Sequence, residues 1–149
     1  MSHEERNTIA SLLSGLLINL YVISKLSNMF ADGRLDGPDA LIVWARAMLW
    51  VIPVGIVVVI IFVIIANIVF AIITNDPDPS FLVDERDRSI QNIGLRFSMV
   101  GVTIGFIGGM IALAAGVQAL YVFIGMFFAL SLGDVLGNFA KVVKYRIDG

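Results

Sequence analysis

FSMVGVTIGFIGGMIALAAGVQALYVFIGMFFALSLG, residues 97–133, runs for thirty-seven positions without an Asp, Glu, Lys or Arg. One unbroken helix of that length would be ~55 Å long, against ~30 Å for the hydrocarbon core of a bilayer. The run must therefore turn back once. The place for the turn is Ala115-Gly-Val-Gln118, where glycine loosens the helix and Gln118 is the only strongly polar side chain of the run. This reading yields a third helix over 90–115 and a fourth over 118–140.

A second charge-free run, residues 47–75, is long enough for one crossing of ~20 residues. It predicts a helix over 51–73, closed by Thr74-Asn-Asp-Pro-Asp-Pro79, where two prolines cannot continue it. Residues 40–50 are apolar but hold Arg46, Trp44 and Trp50; tryptophan favours the headgroup zone, so this piece reads as an interfacial lead-in, with Pro53 a place for a kink. The first helix reads as 9–30, closed by the turn-rich Ala31-Asp-Gly-Arg-Leu-Asp-Gly-Pro-Asp39. Because Met1-Ser-His-Glu-Glu-Arg6 is acidic and no small-residue cleavage site follows, this first segment reads as a retained helix and not a signal peptide.

Composition agrees with a lipid solvent. Hydrophobic residues make up 58% and charged ones 15%, where a soluble domain carries about 25% charged. The expected fold is all-α: a polytopic integral membrane protein, one domain over 1–149, with four transmembrane helices in a bundle. With the N-terminus inside, Arg6, Arg86, Arg88, Arg96, Lys141, Lys144 and Arg146 fall on the cytoplasmic side and Lys25, Arg34 and Arg46 on the other. That bias places both termini in the cytoplasm, in a cytoplasmic (inner) membrane.

Several function classes have little to stand on. A net charge of −2 without a basic cluster argues against nucleic acid. The absence of cysteine removes disulfides, thiolate metal sites and cysteine nucleophiles, and the single histidine, His3, lies outside the predicted helices, which excludes a bis-histidine haem anchor. Asp76 and Asp78 lack the ligand period and the glycine of a calcium loop and read as turn caps. No cofactor is expected.

The helix faces carry more information. At 100° per residue, Gly94, Gly101, Gly105, Gly108, Gly109, Ala112 and Gly116 fall within about 100° of one another on the third helix. The fourth repeats the pattern with Gly125, Ala129, Gly133 and Gly137. Such faces let membrane helices approach closely, against a neighbour of the same chain or of a second copy. The second helix, nearly all β-branched over 54–65, reads as the lipid-facing member.

Opposite the glycines on the fourth helix lies a polar stripe of Ser131, Asp134, Asn138, Lys141 and Tyr145; Asn92, Arg96 and Thr103 lie away from the glycines on the third. Asp134, Asn138, Arg96, Lys25 and Asn19 are the polar groups expected at membrane depth. Such groups usually face protein or water. Depth allows Arg96 to meet Asp134, but if the glycine stripes face each other the two charges point apart. Snorkelling to the headgroups is the alternative for both.

Ser131-Leu-Gly-Asp134 resembles the Gly-x-Gly-Asp motif of intramembrane aspartyl proteases and prepilin peptidases, with Ser131 in place of the first glycine. Those enzymes need two carboxylates that share a proton, and this chain has no second intramembrane acid. Small four-helix multidrug exporters carry a glutamate in the first helix, where this chain has Asn19. Asp84-Glu-Arg-Asp-Arg-Ser-Ile90 is a helix start in physical terms, acidic residues meeting the positive end of the dipole. It also resembles the Asp-Glu-Arg-Asp segment ahead of a membrane hairpin in small bacterial inner-membrane proteins of no assigned activity, a likeness that runs from Asp84 to the C-terminus and implies location and helix count. Glu4-Glu-Arg-Asn7 precedes the first helix in the same manner at an offset of 80 residues. The dipole accounts for most of that similarity, and a duplicated hairpin would account for all of it.

The expectation is a non-enzymatic protein that self-associates or binds a membrane partner through its glycine faces. Its partners are then the bilayer and a second copy or another membrane protein. The alternative is a small oligomeric transporter or channel using Asp134.

Overall fold

The computed structural model describes residues 3–74 and 85–147; Asp76, Asp78 and Asp84 lie outside them. Four helices follow in order: α1 (His3–Ala31), α2 (Ala40–Thr74), α3 (Glu85–Ala114) and α4 (Ala119–Ile147). Each is long and apolar enough to cross a membrane. Each also outruns the crossing read from the sequence. The charge-free runs count only what hydrocarbon tolerates, whereas the helices continue wherever their polar ends find partners.

Both hairpins turn by the same device. Gly33 (φ 68°) ends α1 and Gly116 (φ 82°) ends α3. At the first, the Gly33 and Arg34 amides donate to the Phe30 and Met29 carbonyls at 3.0 Å each. At the second, the Gly116 and Val117 amides donate to those of Leu113 and Ala112, again at 3.0 Å. These paired bonds are Schellman caps, which need a left-handed residue that glycine supplies without a Cβ clash. Acidic residues open α1 (Glu4, Glu5) and α3 (Glu85, Asp87), while Lys144 and Arg146 close α4, all in accord with the helix dipole.

α3 packs most extensively on α4, α1 on α2, and α1 on α4; α2 touches α4 only lightly. α2 and α3 are thus the outer members. The core gathers at the end that holds the two hairpin turns: Val22, Met29, Leu35, Ala40, Trp44, Met48, Val51 and Leu120. Here the helix bounds are corrected: α2 starts at Ala40 and not at 51. Residues 40–50 are the first turns of one α2 helix that runs on through Pro53, and Ala40, Trp44, Met48 and Val51 form its buried stripe at helical spacing. Trp44 lies inside, its ring 6.3 Å from that of Phe123. Trp50 is 71% exposed.

The two glycine stripes meet within the chain. A methyl group at Gly101 would lie 2.7 Å from the Ala129 carbonyl oxygen and 2.8 Å from the Gly133 Cα; one at Gly137 would lie 2.7 Å from the Gly94 carbonyl oxygen. At Gly105 and Gly109 it would meet Ala129 Cβ and the Met126 side chain at 2.9 and 2.8 Å. Gly108, Gly116 and Gly125 take no part in this contact within the chain, since nothing lies within 4 Å of a Cβ on any of them. They sit where the hairpin opens toward its turn.

Candidate functional site

The polar stripe of α4 faces the space bordered by α1 and α3, and Asp134 stands at its middle. Its Oδ1 accepts from Ser98 Oγ (3.4 Å) and its Oδ2 from Asn138 Nδ2 (3.2 Å). Asn138 is buried and Asp134 exposed. Among the described residues no ion pair engages Asp134.

Two adjoining cavities share Asp134, Asn138 and Lys141. One of about 210 Å³ lies against α3 at Gln91, Gly94, Leu95 and Ser98. The other, about 420 Å³, lies against α1 at Ser11, Ser14, Gly15 and Ile18, with Val59 of α2 at its edge and Ser131 and Val135 on α4. No second carboxylate lines either. Together they form a cleft on the scale of a small-molecule site.

The cleft is closed at the helix-start end by a hydrogen-bonded chain. Lys141 Nζ donates to Gln91 Oε1 (3.2 Å), and Gln91 Nε2 donates to Glu4 Oε2 (3.0 Å), joining α4, α3 and α1. Gly94 makes this possible. A Cβ there would lie 2.8 Å from Lys141 Cδ, so glycine leaves the channel along which the lysine stem crosses α3. Toward the turn end the cleft is bounded by Asn19, which is buried: its Oδ1 accepts from Ser131 Oγ at 3.0 Å, and its Nδ2 donates to the Gly15 carbonyl at 2.8 Å.

Of the five polar candidates, Asp134 and Asn138 share the cleft and Asn19 borders it. Arg96 does not contact Asp134; both side chains are exposed and the glycine contacts fix the two helices with these groups apart. Lys25 lies at the other end of the bundle, where its Nζ stands 3.4 Å from the Tyr21 hydroxyl. Among the described residues no group of three or more His, Asp or Glu could hold a metal ion.

A second polar cluster, beyond the cleft, joins Tyr145 of the polar stripe to groups that the sequence reading left without partners. Tyr145 donates to Asp87 Oδ1 (2.9 Å) in a buried hydrogen bond, and Arg86 donates to the Tyr145 carbonyl (3.2 Å). Asn67 Nδ2 donates to Asn7 Oδ1 (3.2 Å). Arg6 is 1% exposed, its guanidinium 5.7 Å from the centre of the Phe70 ring. One signal was available: Asn67 is the only amide side chain of α2 and lies in its charge-free stretch, so it needed a partner at its own depth. No family model, curated protein or solved structure matches this chain.

Proposed function

We infer that this is a non-enzymatic, multi-pass protein of the cytoplasmic (inner) membrane, both termini inside, whose Asp134 cleft passes protons or a small cation as part of an oligomeric assembly. The Lys and Arg bias toward the helix-start end supports the orientation. The observation that carries the transport reading is Asp134 itself. It is a carboxylate about 22 Å along α4 from the turn, in no ion pair among the described residues, with Lys141 near enough to feel its charge, and it is open to two polar cavities. An ionised group at such a depth requires water, a cation or a proton, and intramembrane acids of this kind mark ion paths. The cleft has no second carboxylate to share a proton, so aspartyl proteolysis has no support.

The test is flux and assembly measured on the same variant. Asp134→Asn should abolish proton or cation flux in liposomes while the protein keeps its oligomeric state in detergent. Loss of assembly with no flux in the parent would sink the transport reading. It would favour a second one, that the protein acts only by self-association or by binding a membrane partner. That second reading has its own support in an apolar groove of about 290 Å³ at the open end of the α3–α4 seam, lined by Gly108, Ala112 and Gly125 among others.

A further inference from the structure

Every Lys and Arg at the turn end of the bundle converges on one cavity. Lys25 of α1, Arg34 of the connection and Arg46 of α2 line a space of about 340 Å³ with Val43, Ala47 and Trp50. Among the described residues no ion pair engages any of the three; Lys25 has only the Tyr21 hydroxyl at 3.4 Å and the Tyr21 ring at 5.5 Å. The acids of the same connection, Asp32, Asp36 and Asp39, do not line the cavity. Asp36 Oδ2 instead lies 3.4 Å from the Cβ position of Gly33. Three unpaired cations around a concave space are matched to an anion, and guanidinium groups to a phosphate in particular.

The same α1–α2 seam continues as a second, apolar space of about 250 Å³, lined by Leu17, Ile18, Tyr21, Val54, Gly55 and Val58 with Val51. Tyr21 links the two: it lines the lower space, and its hydroxyl lies 3.4 Å from Nζ of Lys25, which lines the upper. From Arg46 to Val58 the helix rises about 18 Å, close to the ~15 Å of one leaflet's hydrocarbon. Exposed Trp50 flanks the cationic part, where a tryptophan marks the headgroup level.

We propose that the α1–α2 seam is a phospholipid site, with the headgroup phosphate held by Lys25, Arg34 and Arg46 and an acyl chain in the groove beside Gly55. The proposal rests on the chain spanning a bilayer and not on transport through the Asp134 cleft. A free anion would use only the upper space. A lipid uses both, at the spacing a lipid requires.

The experiment uses the full chain, stripped of lipid in a neutral detergent and titrated with phosphatidylglycerol, phosphatidylcholine or inorganic phosphate, with retention read by native mass spectrometry and thermal stability. Phosphatidylglycerol should bind more tightly than phosphatidylcholine. Lys25→Gln, Arg34→Gln and Arg46→Gln should each weaken it about fivefold, from ~1 kcal/mol per basic residue, while Arg46→Lys stays within about twofold of the parent. Gly55→Leu should fill the groove and weaken phosphatidylglycerol without changing the response to inorganic phosphate. Arg34→Gln, in the exposed connection, keeps the test valid if a helix variant fails to fold, which circular dichroism reports. Equal binding of the two lipids, unchanged by the charge variants, would overturn the site. Stabilisation by inorganic phosphate as strong as by lipid, with Gly55→Leu silent, would reassign it to a free anion. Retention is read without any flux measurement, so failure of the transport reading leaves it standing.

Discussion

The α1–α2 and α3–α4 hairpins begin alike and pack by opposite means. In each, an arginine of the first turn lies over an aromatic ring late in the next helix: Arg6 over Phe70, Arg86 over Tyr145. In each, the following residue is hydrogen-bonded to that next helix, Asn7 by Asn67 and Asp87 by Tyr145. Both α1 and α3 end on a glycine Schellman cap. Between those ends the likeness stops. α3 and α4 bring backbone against backbone at Gly94, Gly101, Gly133 and Gly137, where packing density and Cα–H···O contact hold membrane helices. α1 and α2 meet through larger side chains, with Gly55 as the only glycine of α2, and leave a groove. The same start and turn chemistry therefore supports a closed seam or an open one, depending on side-chain size along the middle.

The sharpest way to break that contrast is bulk in the closed seam. Gly101→Leu pushes a side chain into the α4 backbone and should destabilise the protein by about 3 kcal/mol, measured by denaturant unfolding in detergent. Gly108→Leu, which meets nothing within 4 Å, should be nearly silent. Equal effects at both positions would remove the closed seam from the account. Next comes the shared start motif. Tyr145→Phe strips a hydrogen bond from the buried Asp87 carboxylate and should cost about 2 kcal/mol, against about 1 kcal/mol for Asn67→Ala in the other hairpin, since bonds to charged groups are the stronger. The reverse order would show that the two starts are not equivalent in kind.

Smaller effects probe how the hairpins join. Ser131→Ala removes the hydrogen bond to Asn19 and should lower stability by only about 0.6 kcal/mol, the usual scale for one interhelical bond in a membrane. A loss several times larger would mean that this bond holds the hairpins together. Least of all, Ile60→Leu on the outer face of α2 should change stability by no more than about 0.5 kcal/mol; a clear loss in thermal stability would show that α2 has a neighbour on that face.

Much of this architecture was legible. The number of helices follows from run lengths set against bilayer thickness, and the turn at Ala115–Gln118 from one glycine and one amide. The stripes on α3 and α4 were visible as faces, and their contact inside one chain keeps Arg96 and Asp134 apart, as that geometry required. Arg6 was left outside the first helix, because the apolar run starts at Ile9, whereas the helix starts at His3 and buries the guanidinium at the bundle end. Trp44 was read by residue preference, which gives no partner; the spacing of Ala40, Trp44, Met48 and Val51 forms a buried stripe.

What the sequence determined by itself is therefore what depends on length and local period: four helices long and apolar enough to span, the two glycine turns, the small faces and the polar stripe of α4. Which polar groups meet was decided only by the tertiary structure. Glu4 reaches Gln91 across 87 positions and Ser131 reaches Asn19 across 112. Those pairings depend on the rotation of each helix about its axis and on how one hairpin leans against the other. Hydropathy records depth in the membrane and leaves both of those angles free; the side chains that fill the seams determine them.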